Sequence, residues 1–205
     1  MIAVNFEKRI HTYNGFTPLR VNRSFKSGTI TQILGISGVG KTTFLKVLAG
    51  LIKPEIGKII VNDQTWLDSE AGISLEPQLR RVGFVFQDYA LFPHMTVEEQ
   101  LLYGTSDREY IDHLLKIGRM EPYVRQKPRE LSGGQQQRLA ILRALSTKPR
   151  VVLMDEPFSA LDKALKSVVI KDLRLLFTSL ETTCLVVTHD PFKEGEFADD
   201  TFEME

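Results

Sequence analysis

Only one cysteine, no long apolar run and no excess of either charge sign set the first limits on this chain of 205 residues. A lone Cys184 permits no disulfide within the chain, and its run Cys184-Leu185-Val186-Val187 reads as a buried strand in a protein kept reduced. The 26 basic and 26 acidic side chains are dispersed and sum to a formal charge of zero. No global field therefore draws the chain to nucleic acid or anionic lipid. No stretch approaches the roughly 18 apolar residues of a membrane span. The opening Met1-Ile2-Ala3-Val4-Asn5-Phe6-Glu7-Lys8 lacks the pattern of a secretory signal. Repeats and low-complexity tracts are also missing, which leaves one folding unit long enough to bury a substantial core.

Apolar runs bounded by Gly, Asp or Asn predict strands near 2–6, 19–25, 29–34, 57–62, 82–86, 151–155 and 183–188. Helical spacing predicts helices near 41–50, 97–103, 107–117, 133–147 and 162–179. The early strands have short connections and read as antiparallel, whereas the later ones alternate with helices and read as a parallel sheet. Between 87 and 150 only helical spacing is found, as in Leu114, Leu115 and Ile117. The expected class is α/β: a core with a mainly parallel sheet, an N-terminal antiparallel β subdomain and an inserted helical subdomain. The polar stretch 63–78 reads as a surface loop, and 201–205 as a last short strand.

Gly35-Ile36-Ser37-Gly38-Val39-Gly40-Lys41-Thr42 fits G-x-x-x-x-G-K-[ST] between a predicted strand and a predicted helix, the context that a P-loop NTPase core requires. Such glycines let backbone N–H groups point inward at phosphate oxygens, and the helix N-terminus adds partial positive charge. The candidate phosphate-binding residues are Gly35, Ser37, Gly38, Val39, Gly40, Lys41, Thr42 and Thr43. Lys41 would reach the β- and γ-phosphates and Thr42 would ligate Mg²⁺. The run Val151-Val152-Leu153-Met154-Asp155-Glu156 is an apolar strand ending in two acids, at a sheet edge where open α/β folds bind ligands. Asp155 can hold Mg²⁺ through water, and Glu156 can deprotonate an attacking water. Alone, such an acidic pair reads as a solvated turn. Leu131-Ser132-Gly133-Gly134-Gln135 opens a further helix with a capping-box pattern, which by itself is only a helix cap.

Taken together, these motifs resemble the ATP-binding cassette family. Leu131-Ser132-Gly133-Gly134-Gln135, followed by Gln136-Gln137-Arg138, is similar to its signature. Gln87 in Phe84-Val85-Phe86-Gln87-Asp88 resembles the Q-loop, Ser159-Ala160-Leu161-Asp162 the D-loop, and His189 in Val187-Thr188-His189-Asp190 the switch histidine. The motifs occur in the family's order over roughly residues 1–200. The resemblance implies one ABC ATPase domain over 1–205, with 1–87 and 150–205 forming the nucleotide-binding core with its β subdomain and 88–149 the helical signature subdomain. It implies ATP and Mg²⁺ as cofactors, with Thr42, Gln87 and Asp155 around the metal. It also implies a homodimer of head-to-tail cassettes, in which Ser132, Gly133, Gly134 and Gln135 grip the γ-phosphate in trans. Asp162 belongs to the D-loop, and Glu156, His189 and Gln87 are the expected catalytic set. Adenine would stack on Tyr13, with Phe16 the alternative, although the segment 8–18 departs from the family pattern.

The expected partners are transmembrane permease subunits, the second ATPase subunit and, indirectly, a solute-binding protein; nucleic acid is not expected. The chain would then lie at the cytoplasmic face of the membrane, peripheral through the permease. The stretch 80–97 resembles prokaryotic importer ATPases, and Gly72-Ile73-Ser74-Leu75-Glu76-Pro77 the molybdate-importing subfamily. Importers of sulfate, ferric iron, polyamine or sugar remain alternatives. So do ABC ATPases of repair or translation, and a P-loop nucleotide kinase. The C-terminal regulatory domain of many importer ATPases is expected to be missing. His11 and His113 are expected at the surface, while Phe92 and Met95 suit either a partner face or the helical core.

Overall fold

A computed structural model describes residues 1–12, 15–193 and 195–205. Its strands form two sheets. The first comprises β1 (Ile2–Thr12), β2 (Gly15–Phe25), β4 (Ile56–Val61), β5 (Gln64–Asp68) and β6 (Ile73–Ser74), antiparallel in the order β2-β1-β4-β5-β6. The second comprises β3 (Ile30–Leu34), β7 (Val82–Val85), β8 (Val151–Asp155), β9 (Thr183–Val187) and β10 (Asp200–Glu203), parallel in the order β10-β3-β9-β8-β7. Helices α1 (Lys41–Leu48), α2 (Pro77–Arg80), α3 (Val97–Leu102), α4 (Arg108–Gly118), α5 (Gly133–Leu145) and α6 (Lys163–Ser179) complete it. From the end of β7 to the start of β8 the described elements are all helical.

The central strands β8 and β9 are buried at every position, which is why they read as unbroken apolar runs. Alternate residues serve two cores. Val152, Met154, Cys184 and Val186 face a core shared with α3, α4, α5 and α6. Val151, Leu153, Leu185 and Val187 face a second core shared with α1 and the antiparallel sheet. Helix starts follow their caps: Thr96 and Ser132 head capping boxes, and Asp107 and Asp162 accept from the third residue beyond.

Two expectations are corrected. The stretch 63–78 is not a loop, because it carries β5, β6 and the start of α2. Asn62 and Asp63 both adopt positive φ (46° and 65°) and turn β4 back into β5, and a two-residue hairpin turn of this kind matches strand twist. The strand near 29–34 belongs to the parallel sheet rather than to the antiparallel flank, between β10 and β9.

Arg80 joins the two layers. Its buried guanidinium donates to the carbonyls of Val47 (3.0 Å) and Leu48 (2.7 Å) at the end of α1, and to Leu75 (2.9 Å). It also lies 5.6 Å from the Trp66 ring. Arg80→Ala removes a donor from four carbonyls, that of Trp66 (3.4 Å) included, and is expected to cost about 3 kcal/mol, read as a lower urea midpoint at unchanged slope.

Candidate functional site

Parallel register brings four motifs to one edge. β3, β9, β8 and β7 are consecutive neighbours, and their carboxyl ends lead into Gly35, Thr188-His189, Glu156 and Gln87 respectively. At the first of these ends Gly35 has φ +150°, and a Cβ there would sit 2.5 Å from the Met204 carbonyl oxygen. The approach is this close because β10 lies beside β3 and the Met204 N–H donates to Leu34 at 2.9 Å. Gly40 caps α1 with φ +108° and no side-chain bond, leaving the first N–H groups of the helix bare.

Lys41 is buried, and its Nζ donates to the carbonyls of Gly35 (2.8 Å) and Ile36 (2.9 Å). Thr42 Oγ1 donates to Asp155 Oδ2 at 2.8 Å. Thr42, Asp155 and the nearby Gln87 amide offer hard oxygen donors. No cluster of three or more His, Cys, Asp or Glu suited to a metal occurs among the described residues. Mg²⁺ is commonly held by one or two carboxylates plus substrate phosphates, and this donor set fits that habit.

Glu156 stands out in its backbone. Its φ of +52° is left-handed, a conformation that costs a non-glycine residue about 1–3 kcal/mol and persists only where surroundings enforce it. Its N–H donates to Val187 at 3.1 Å. Its carboxylate is mostly buried, at 14% side-chain exposure. Oε2 accepts from the His189 N–H at 3.4 Å, whereas Oε1 is buried without a hydrogen bond among the described residues. His189 Nε2 lies 3.4 Å from Oε1, at ion-pair range but without hydrogen-bond geometry. Burial raises the Glu156 carboxyl above the usual carboxylate range and Asp155 adds to this, against the opposing pull of His189 and Lys41. A buried, raised and under-bonded carboxyl is suited to take a proton from a water molecule.

Lys41, Thr42, Thr43, Gln87, Asp155, Glu156 and His189, with Ser37, Gly38 and Gly40, line one cleft of about 340 Å³. A second hollow, lined by Ile10, His11, Thr17, Pro18, Leu19, Ile36 and Val39, shares Ser37 and Gly38 with it. Tyr13 lies outside the described residues. Phe16 is 76% exposed, sits edge-on to His11 at 5.3 Å, and is not among the residues lining either space. His11 lines both; it and His113 are exposed. Phe92 and Met95 are half-buried, and Phe92 lies against Tyr103 and under the Arg143 guanidinium.

The signature residues are elsewhere. Ser132 Oγ accepts from the Gln135 N–H (3.4 Å) and Gln135 Oε1 from the Ser132 N–H (2.7 Å). Ser132 and Gly133 are exposed, and neither they nor Gly134 and Gln135 line the cleft. Asp162 is exposed, accepts from the Leu165 N–H at 3.0 Å, and also lies outside it. One residue missed by sequence reasoning is Gln137, which is 1% exposed and bonded to the backbone of Glu156 and of Ala160. The signal was available: Gln137 shares the helical face of Ile141, Ala144 and Leu145, all buried, and a polar residue on an apolar face needs partners.

Comparison with known proteins agrees with this geometry. The family described as ABC transporter matches residues 19–159. A probable sulfate/thiosulfate import ATP-binding protein, CysA, of Chlorella vulgaris is 39% identical over 213 residues, covering 100% of this chain and 87% of that protein. The molybdenum import ATP-binding proteins ModC of Photorhabdus laumondii and Escherichia coli K12 are 40% and 39% identical over 93% and 92% of this chain. The chain spans about half the length of those ModC proteins, 53% in both. Among solved structures, a dimer of the cassette MJ0796 in a post-hydrolysis state with ADP and Pi matches with TM-score 0.82 and 31% identity, covering 100% of this chain and 94% of that one.

The close contact at the loop entrance is testable by itself. Gly35→Ala pushes a methyl group onto the Met204 carbonyl and is expected to destabilise the chain by about 2 kcal/mol, measured by chemical denaturation; wild-type stability would show that β10 yields.

Proposed function

The chain belongs to the ABC transporter family as an ATP-binding, ATPase domain, and on that premise we propose that it energises a membrane importer of molybdate or a related oxyanion. The observation that carries the ATPase part is the single cleft gathering Lys41, Thr42, Asp155, Glu156, Gln87 and His189 from four strand ends, with the signature helix opening outside it. The oxyanion class is supported by relatives named for molybdenum import and for sulfate/thiosulfate import at about equal identity. Sulfate is the second reading, since the relative named for it aligns over the whole chain.

In this reading Lys41 leaves its two loop carbonyls for the β- and γ-phosphates of ATP, and Thr43 adds a hydroxyl to them. Thr42, Asp155 and Gln87 would hold Mg²⁺, which when bound neutralises phosphate charge. Glu156 accepts the proton of the attacking water as its oxygen bonds to the γ-phosphorus, and the bond to the ADP oxygen breaks. His189, beside Glu156 and 59% exposed, orients that water and the γ-phosphate. None of the chain's own signature residues lines the cleft, so a cap of their N–H donors would have to come from elsewhere. Ser132, Gly133, Gly134 and Gln135 of a second copy would supply it, with Asp162 lying along the same dimer face. ATP then joins two cassettes, and its hydrolysis releases them.

The division into a nucleotide core (1–87 and 150–205) and a helical subdomain (88–149) gives this motion an output. Gln87, at the junction, would pass it to permease subunits bound over the helical part, with a solute-binding protein acting beyond them. No helix among the described residues is long and apolar enough to cross a membrane. We propose that the chain lies at the cytoplasmic face of the membrane, held there through its permease, a reading supported by relatives named as import ATP-binding proteins.

Glu156→Gln is expected to lower ATP turnover by about 100-fold or more while retaining ATP binding, and to accumulate an ATP-bound dimer by light scattering. Near-normal turnover from a monomer would overturn the assignment of the base. A mixture of Ser132→Arg and Lys41→Ala chains should recover activity that neither chain has alone, because a mixed dimer rebuilds one composite site of two. Inactive mixtures containing demonstrated mixed dimers would exclude gripping in trans.

A further inference from the structure

Glu156 holds a left-handed backbone that its own side chain does not favour, so something must enforce it. Three donors converge on its carbonyl oxygen: Gln137 Nε2 at 3.0 Å, Ser159 Oγ at 3.1 Å and the Ser159 N–H at 3.4 Å. Gln137 Nε2 also reaches Ser159 Oγ at 3.1 Å, and Gln137 Oε1 accepts the Ala160 N–H at 3.0 Å. Both ends of one buried amide are thus bonded to the turn that follows β8, and each end faces a group of the right polarity. On the other side, the Glu156 N–H is fixed to Val187. The N-terminus of α5 also lies close under the same turn: a Cβ on Gly134 would meet the Ala160 carbonyl at 3.1 Å.

We infer that Gln137 is a positioning residue for hydrolysis: from within the signature helix it holds the Glu156 backbone in the conformation that presents the carboxyl to the cleft, and ties the 159–162 turn to that helix. Gln137 does not line the cleft, so it acts through Glu156, and the inference rests on Glu156 being the base. The same amide makes the link two-way. A signature helix engaged by the partner's nucleotide bears on the base of its own chain through the bonds of Gln137, so a shift of α5 at one site is felt at the carboxylate of the other.

The test uses the full chain and ATP. Gln137→Met keeps the length and burial of the side chain and removes its hydrogen bonds. It is expected to lower kcat on the order of 100-fold, as for a reacting group displaced by a fraction of an ångström. KM for ATP and the melting temperature should stay near wild type. Gln137→Asn, with the amide one methylene short, should show the same split, and decides the matter if the Met variant does not fold. Wild-type kcat in a folded variant, or a loss of affinity matching the loss of kcat, would overturn the inference. Glu156→Gln run alongside separates the two claims. If it is inactive while Gln137→Met is active, the positioning role alone fails; if it turns over normally, the base assignment fails and the inference falls with it.

Discussion

The parallel register of β3, β9, β8 and β7 is the constraint on which the rest depends. Each strand contributes only a few residues beyond its carboxyl end, but because the strands stop together those residues share one cleft. Alternate side chains of β8 and β9 are committed to opposite cores, so a slip of one residue would exchange the cores and break both. Chemistry at the edge is positioned by hydrophobic parity far from it. The segments beyond those ends are anchored in turn, since Phe158 after β8 and Phe192 and Phe197 after β9 are buried in the helical-side core.

Polar side chains turn that placement into geometry. Thr42 binds Asp155 across the end of β9, and Gln137 binds the turn after β8 from the helical side. Gln32, buried in β3, holds Phe192 through both its N–H (2.9 Å) and carbonyl (3.4 Å), anchoring the segment just beyond His189. Asp155, Gln137 and Gln32 are buried polar groups with bonded partners, and such groups specify one arrangement rather than merely adding stability. Among the described residues Glu156 Oε1 is the exception, an unmet acceptor at the point where the proposed chemistry takes a proton.

Much of this was legible in the sequence because the informative residues adjoin strong apolar runs. Val151 to Met154 announces a buried strand, and Asp155 and Glu156 must then sit at its end. The hairpin of β4 and β5 was not legible. Gln64 and Thr65 are polar and exposed or half-buried, only Trp66 and Leu67 are buried, and the register shifts between Ile59 and Ile60, so no clean alternation survives. Asn62-Asp63 was the remaining sign of a turn, weaker than a glycine pair. β3 was misplaced for another reason: its connection from β2 is short, and a short link usually joins partners in one sheet. Here the chain crosses between layers instead. The signature residues were readable as a cap, but nothing in a single chain could locate the site they would complete.

Lys41 spends its charge on two carbonyls of the loop that precedes it. A phosphate arriving there does not meet a bare cation; it bids against acceptors already in place. Affinity at this position is therefore the difference between two solvations of one ammonium group, and can be modest although each contact is strong. The loop gains in turn. With its cation folded back on it, the curl of 35–41 carries its own counterpart and can keep its shape between one ligand and the next, so that exchange of nucleotide need not wait for the loop to refold.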